Sequence, residues 1–201
     1  MDDLLLSVKN LKKYFPVKSH FLKRQIGWAR ADALLAASTV HLRAGESDAA
    51  LDLLAECFGP PRAAVSISEA VPEAVRTAIG GGNDGLAVRI VQQVDSLLPA
   101  SRLPLDRHVM ASVNGLAGER RAEYEAAAFD FAAAAAGWRD FGVPYEEGHA
   151  LLGQGRCLVA LGRAQEAAAP LAAARGIFAR LGAKPALAET EAVLGGAGLE
   201  V

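Results

Sequence analysis

Residues 151–174 read LLGQGRCLVALGRAQEAAAPLAAA. Gly162 divides this stretch into two runs dominated by Ala and Leu, residues of strong helix preference. The first run extends back to Tyr145, behind Pro144, and the second runs from Ala164 to Leu181, just before Gly182. A glycine between two helical patterns marks a tight turn, because it reaches positive φ without steric cost. The segment is therefore a helix, a turn and a helix. The same arrangement stands one step earlier, where Tyr124–Gly142 overlays Ala164–Gly182 at a spacing of about forty residues. Ala127 falls on Ala167, Phe131 on Leu171, Ala132 on Ala172, Trp138 on Phe178, Phe141 on Leu181 and Gly142 on Gly182. Large and small residues recur in register. Stacked helical hairpins need this pattern, small where helices cross closely and large to fill the gaps.

Outward from this pair, the chain after Ala31 reads as helices punctuated by Gly and Pro. Ala31–Leu42 ends at Ala44-Gly45, and Ser47-Asp48 offers an N-cap for Ala49–Phe58. Gly59-Pro60-Pro61 breaks the chain before an apolar stretch over 62–79, with Pro72 at a first turn or a break. Gly80–Gly85 reads as a loop, with Asp84 capping a helix Leu86–Leu98, and Pro99–Pro104 connects. Helices follow over Leu105–Ala117, ended by Gly118, then Arg120–Phe141, Tyr145–Leu161, Ala164–Leu181 and Pro185–Leu194. The 201 residues are 52% hydrophobic but only 6% aromatic, enough for a packed core and suited to close helix packing rather than a β-sandwich. The expected fold is all-α, an array of antiparallel helical hairpins.

Residues 151–174 also resemble the tetratricopeptide repeat. The resemblance makes Gly155 the point where the first helix approaches its neighbour and Leu158 a large apolar position on it. Gly162 then sits in the turn, Ala167 is the small residue at the helix crossing, and Leu171 and Ala174 lie on the packed face. Gln154 stands where a leucine is usual, and Ala179 where a closing proline is. The wording VPYEEGHALLGQGRCLVALGRAQEAAAPLAAARGIFARLGAKPALAETEAVL (143–194) is similar to the C-terminal repeats of bacterial signalling proteins that carry adenylate or guanylate cyclase domains or LuxR-type regulators. Over residues 31–201 this implies a tetratricopeptide-like solenoid. Its function would be non-catalytic protein–protein interaction, as a scaffold or sensor of a signalling or transcription-regulating system. Arg156 and Arg163, charged and next to the best-defined repeat, are the candidate partner-binding residues. An array cut from a longer protein also exposes an apolar end, which favours self-association.

Residues 1–30 have another composition. They hold five of the six lysines and no alanine before Ala29, with seven basic residues against two acidic ones. Their charge is +5 and that of the remainder −7, so the boundary falls at Ala29–Ala31. The stretch LLLSVKNLKKYFPVKSHFLKRQIGWARA (4–31) resembles the N-terminus of ATP-binding subunits of oligopeptide and dipeptide ABC importers. That resemblance makes Phe15 the adenine-stacking position. No G-x-x-x-x-G-K-[ST] follows, so the phosphates have no cradle. A truncated importer subunit, or a chimaeric chain without a joint function, is the alternative reading.

The remaining chemistry is sparse. The net charge of −2 calls for no nucleic-acid partner, and no apolar run is long enough to span a bilayer. Cys57 and Cys157 match no metal or redox spacing, which suits reduced thiols in the cytoplasm. No cofactor or catalytic set is expected. Gly80–Gly85 spells G-x-G-x-x-G but follows a helical stretch, Val75–Ile79, rather than the strand that a dinucleotide site needs, and reads as a loop between hairpins. Asp140-Phe141-Gly142 reads as a helix end. Glu146, Glu147 and His149 read as solvated polar residues at a helix start, and Cys157 as a buried, inert thiol. If residues 1–30 are a separate module, deleting them leaves the melting temperature of the rest unchanged; a clear fall in a thermal scan would make them part of the core.

Overall fold

The computed structural model describes residues 33–34, 36–42, 44–58, 71–97 and 104–199. Phe15 and all of residues 1–30 lie outside these, as do the Gly59-Pro60-Pro61 break, residues 62–70 and most of the connector expected at 99–104. Every regular element among the described residues is a helix. A helical segment at 36–42 (α1) is followed by α2 (Ser47–Phe58), α3 (Val71–Gly80), α4 (Asp84–Leu97) and α5 (Pro104–Arg120). Then come α6 (Tyr124–Phe141), α7 (Pro144–Ala160), α8 (Ala164–Leu181) and α9 (Lys184–Gly196). Among the described residues no helix is long and apolar enough to cross a membrane.

A forty-residue period governs the helix starts. The helices α4, α6 and α8 begin at 84, 124 and 164, and α5, α7 and α9 at 104, 144 and 184. Two kinds of turn alternate. Turns at 81–83, 121–123 and 161–163 each hold a left-handed residue, Gly82 (φ 75°), Ala122 (φ 59°) and Gly162 (φ 73°). The other kind turns on Gly142 (φ 82°) and Gly182 (φ 67°). There the next N–H closes the helix: Val143 donates to the Trp138 carbonyl at 3.0 Å, and Ala183 to the Phe178 carbonyl at 2.9 Å. Asp140-Phe141-Gly142 is thus a helix end.

The consecutive pairs α2–α3, α3–α4 and those from α5 to α9 pack side by side, and each odd-numbered helix from α3 onward also touches the next odd one. Close approach rests on missing Cβ atoms. The Phe131 ring of α6 lies over Gly115 of α5 and Gly153 of α7, where a Cβ would stand 2.7 and 2.5 Å from the ring. Forty residues on, Gly155 of α7 receives Leu171 of α8 in the same way. Contacts across α5 and α6 pair Ser112 with Trp138, Gly115 with Phe131 and Gly118 with Ala127, so the two helices run antiparallel. One continuous core runs from Leu54 to Leu194, with Trp138, Phe178, Leu171, Leu152 and Ile90 among its fully buried side chains.

Several boundaries differ from the sequence reading. Gly118 does not end α5, which continues to Arg120. Its place is a contact, since a Cβ there would lie 3.1 Å from that of Ala127. The turn uses Ala122 instead, and α6 starts at Tyr124 rather than Arg120. The expected loop at Gly80–Gly85 shrinks to 81–83, with Gly80 still helical and Gly85 inside α4. Asn83, not Asp84, caps α4, its Oδ1 accepting the Leu86 N–H at 2.9 Å. Ser47 is already helical in α2.

Gly155→Ala is expected to cost about 1–3 kcal/mol by overpacking against Leu171. Gly176→Ala, where an added Cβ meets nothing within 4 Å, should instead stabilise by about 0.5–1 kcal/mol through helix propensity. Ala122→Gly should gain up to about 1 kcal/mol by relieving a left-handed alanine. Urea denaturation of the three variants reads all of these, and the opposite sign at Gly155 would refute the packing.

Candidate functional site

Arg76 on α3 and Glu146 in the first turn of α7 are 70 residues apart, yet they form a two-pronged ion pair. The Nη1 of Arg76 donates to Oε2 of Glu146 at 2.8 Å and its Nη2 to Oε1 at 2.6 Å. Glu73, one helical turn before Arg76, accepts from Nε at 3.1 Å and from Nη2 at 2.8 Å. On α1, Thr39 Oγ1 donates to Glu73 at 3.1 Å, so the network joins α1, α3 and α7. The pair is well shielded, with side-chain exposures of 17% for Arg76 and 7% for Glu146. Burial alone would lower the Arg76 pKa, but the charges and hydrogen bonds of Glu146 and Glu73 outweigh it and hold the group above its ordinary value.

Glu146 is therefore not the solvated residue expected at a helix start. A position near a helix N-terminus suits an acid either way; what decides its burial is a helix seventy residues away. Glu147 bonds to Arg139 at 2.7 Å. His149 packs its ring against Tyr145 and Phe178, at centroid distances of 4.6 and 5.0 Å.

Arg156 makes a second bridge on the same side. Its Nε and Nη2 donate to the two carboxylate oxygens of Glu119 on α5, at 2.6 and 2.7 Å. Its Nη1 donates to Glu189 on α9 at 2.7 Å. Burial again opposes its charge, and Glu119 and Glu189 more than offset this, so its pKa is raised. Arg76 and Arg156 stand two repeats apart, with Leu116 at the equivalent place between them.

Between these bridges lies a hollow of about 630 Å³. Ile79 of α3, Leu116 of α5 and Ala160 of α7 supply apolar walls, and Arg76, Arg156 and Glu189 line it with charge. A smaller recess of about 180 Å³ shares Arg76, His149 and Glu189 with it. Arg163 does not line the hollow. It sits in the turn before α8, paired with Glu166 at 2.6 Å and with Glu125 at 2.9 Å. The two candidate partner-binding arginines thus belong to different places.

Gly155, Ala167, Leu171 and Ala174 are packed between helices, Leu158 is buried at 6% exposure, and Gly162 makes the turn. Cys157 is fully buried, and burial foremost pushes its thiol up to about 12. Among the described residues no group of His, Cys, Asp and Glu could hold a metal ion. Arg76, Glu119 and Glu189 escaped the sequence reading, and Glu146 reads there only as a solvated residue. A signal existed, since Arg76 precedes Arg156 by two repeat lengths, but it is usable only once the repeat phase is carried back past Leu105. No protein-family model matches the chain, and no curated protein matches it.

Glu146→Ala should destabilise by about 3–5 kcal/mol, because it leaves Arg76 charged and buried with half its partners. Adding Arg76→Met should recover most of that loss in the same denaturation assay. Cys157 should react with a thiol reagent only as fast as the protein unfolds. Its folded pKa lies above the unfolded one, so its contribution to stability is complete below about pH 9 and fades as pH rises toward about 12. A Cys157→Ala variant should lack this alkaline loss.

Proposed function

We propose that this chain is a non-catalytic protein–protein interaction module, a tetratricopeptide-like solenoid acting as a scaffold or sensor within a bacterial signalling or transcription-regulating system of the cytoplasm. The observation that carries this reading is the hollow on the odd-helix side. Residues from α3, α5, α7 and α9 line it, and its volume of about 630 Å³ lies in the range of sites that hold a ligand or an anchoring side chain. Repeat proteins present such surfaces because their hairpins stack with a small constant rotation. The forty-residue period of helix starts and the wording of residues 143–194 support the same reading. Arg156 belongs to this site as a wall residue, already engaged by two carboxylates, so it shapes the groove that a partner meets.

Ala160 is exposed and lines the hollow. Ala160→Trp should fill it without disturbing the core. Twelve-residue peptides selected from a random display library on the full chain should lose about tenfold or more in affinity for this variant, with its melting temperature unchanged. Unaltered binding of every selected peptide would place recognition elsewhere.

A further inference from the structure

The charged groups around the hollow are not equally occupied. Arg76 and Arg156 donate from all three guanidinium nitrogens to carboxylates. Both oxygens of Glu146 and both of Glu119 accept in return. In these four side chains every guanidinium nitrogen or carboxylate oxygen is engaged, and they form walls. Two others keep capacity in hand. Arg120, the last residue of α5, donates through Nη2 alone, to Asp84 of α4, and its side chain is 53% exposed. Glu189 of α9 accepts at Oε1 alone, from Arg156, and is 50% exposed. Both line the hollow. A guanidinium offers five N–H donors and a carboxylate about four acceptor sites, so each has room for a further charged partner.

Their placement makes the hollow directional. Arg120 belongs to the α4–α5 side and Glu189 to α9, with the Arg156 bridge of α7 between them. The hollow they share also has apolar lining, with Ile79, Leu116, Ala122 and Ala160. We infer that the groove takes a peptide segment carrying an acidic side chain, an apolar side chain and a basic side chain in spatial succession. Its carboxylate meets Arg120, its apolar group enters the hollow over Leu116, and its cation meets the open oxygen of Glu189. This rests on the groove being the binding site, and it adds the chemistry of the partner. A segment with one sign of charge faces a like charge at one end, which selects against it.

The peptides selected on the full chain test this. Their sequences should be enriched in an acid and a base flanking an apolar residue. Fluorescence polarisation should show each bound about fivefold more weakly by Arg120→Gln and by Glu189→Gln, the effect of one exposed charge pair. Glu189→Gln keeps an acceptor for Arg156, so its melting temperature shows whether the bridge survives. The double variant Arg120→Glu/Glu189→Lys should prefer peptides in which the acid and the base are exchanged. Peptides that lose affinity for Ala160→Trp yet ignore Arg120→Gln and Glu189→Gln would leave the groove as the site and overturn its polarity. Peptides of a single charge sign would overturn the polarity too. A library that yields no peptide sensitive to Ala160→Trp would overturn the groove and the polarity together.

Discussion

The structure depends on one steric arrangement, an aromatic ring wedged between two helices that lack side chains where it lands. Phe131 projects from α6 onto Gly115 of α5 and Gly153 of α7. The first contact closes a hairpin and the second joins that hairpin to the next. A methyl group at either glycine would stand well inside van der Waals contact of the ring. The helix spacing set here repeats forty residues later, where Leu171 meets Gly155. Bulk is traded between the two hairpins. Phe178 of α8 covers Gly148 of α7, whereas in the preceding hairpin His108 of α5 fills the space at Gly137 of α6. The repeat thus conserves volume at a crossing rather than residue type, as close packing requires.

Electrostatics then joins what packing has brought near. The odd-numbered helices meet along one side, and that side carries the two arginine bridges, Arg76 to Glu146 and Arg156 to Glu119 and Glu189. Each links helices that are not consecutive in the chain. Buried ion pairs add little net stability over apolar residues of equal size, but they impose a definite partner geometry. Here they stand beside an open hollow. The wall charges are engaged at every nitrogen or oxygen, while the rim residues Arg120 and Glu189 keep atoms able to bond outward.

Helices and turns from Tyr124 to the end were readable because their information is local. Gly142, Gly162 and Gly182 mark turns by their own conformational freedom, and the bounds of α8 agree with those read from residue order. Reading failed where a tertiary contact overrode a local preference. Gly118 looks like a helix stop but serves a helix crossing, and Ala122 looks like a helix former but takes the left-handed turn. Local preference differs by about 1 kcal/mol in such cases, and packing can exceed it.

The candidate site shows the same division more sharply. Periodicity of small and large residues pointed to helical hairpins with a forty-residue period, since those properties follow from backbone sterics and from the need to bury one face of each helix. Glu146, by contrast, sits in a first helical turn that suits any acid, and nothing near it in the chain foretells Arg76. Arg156 and Arg163 look alike in the sequence, seven residues apart, yet one spans three odd helices and the other trims an outer turn. Which charges become walls, which keep bonding capacity and where a hollow opens depend on how successive hairpins rotate against one another. That rotation is a sum of many close contacts distant in sequence, and it exists only once the chain is packed.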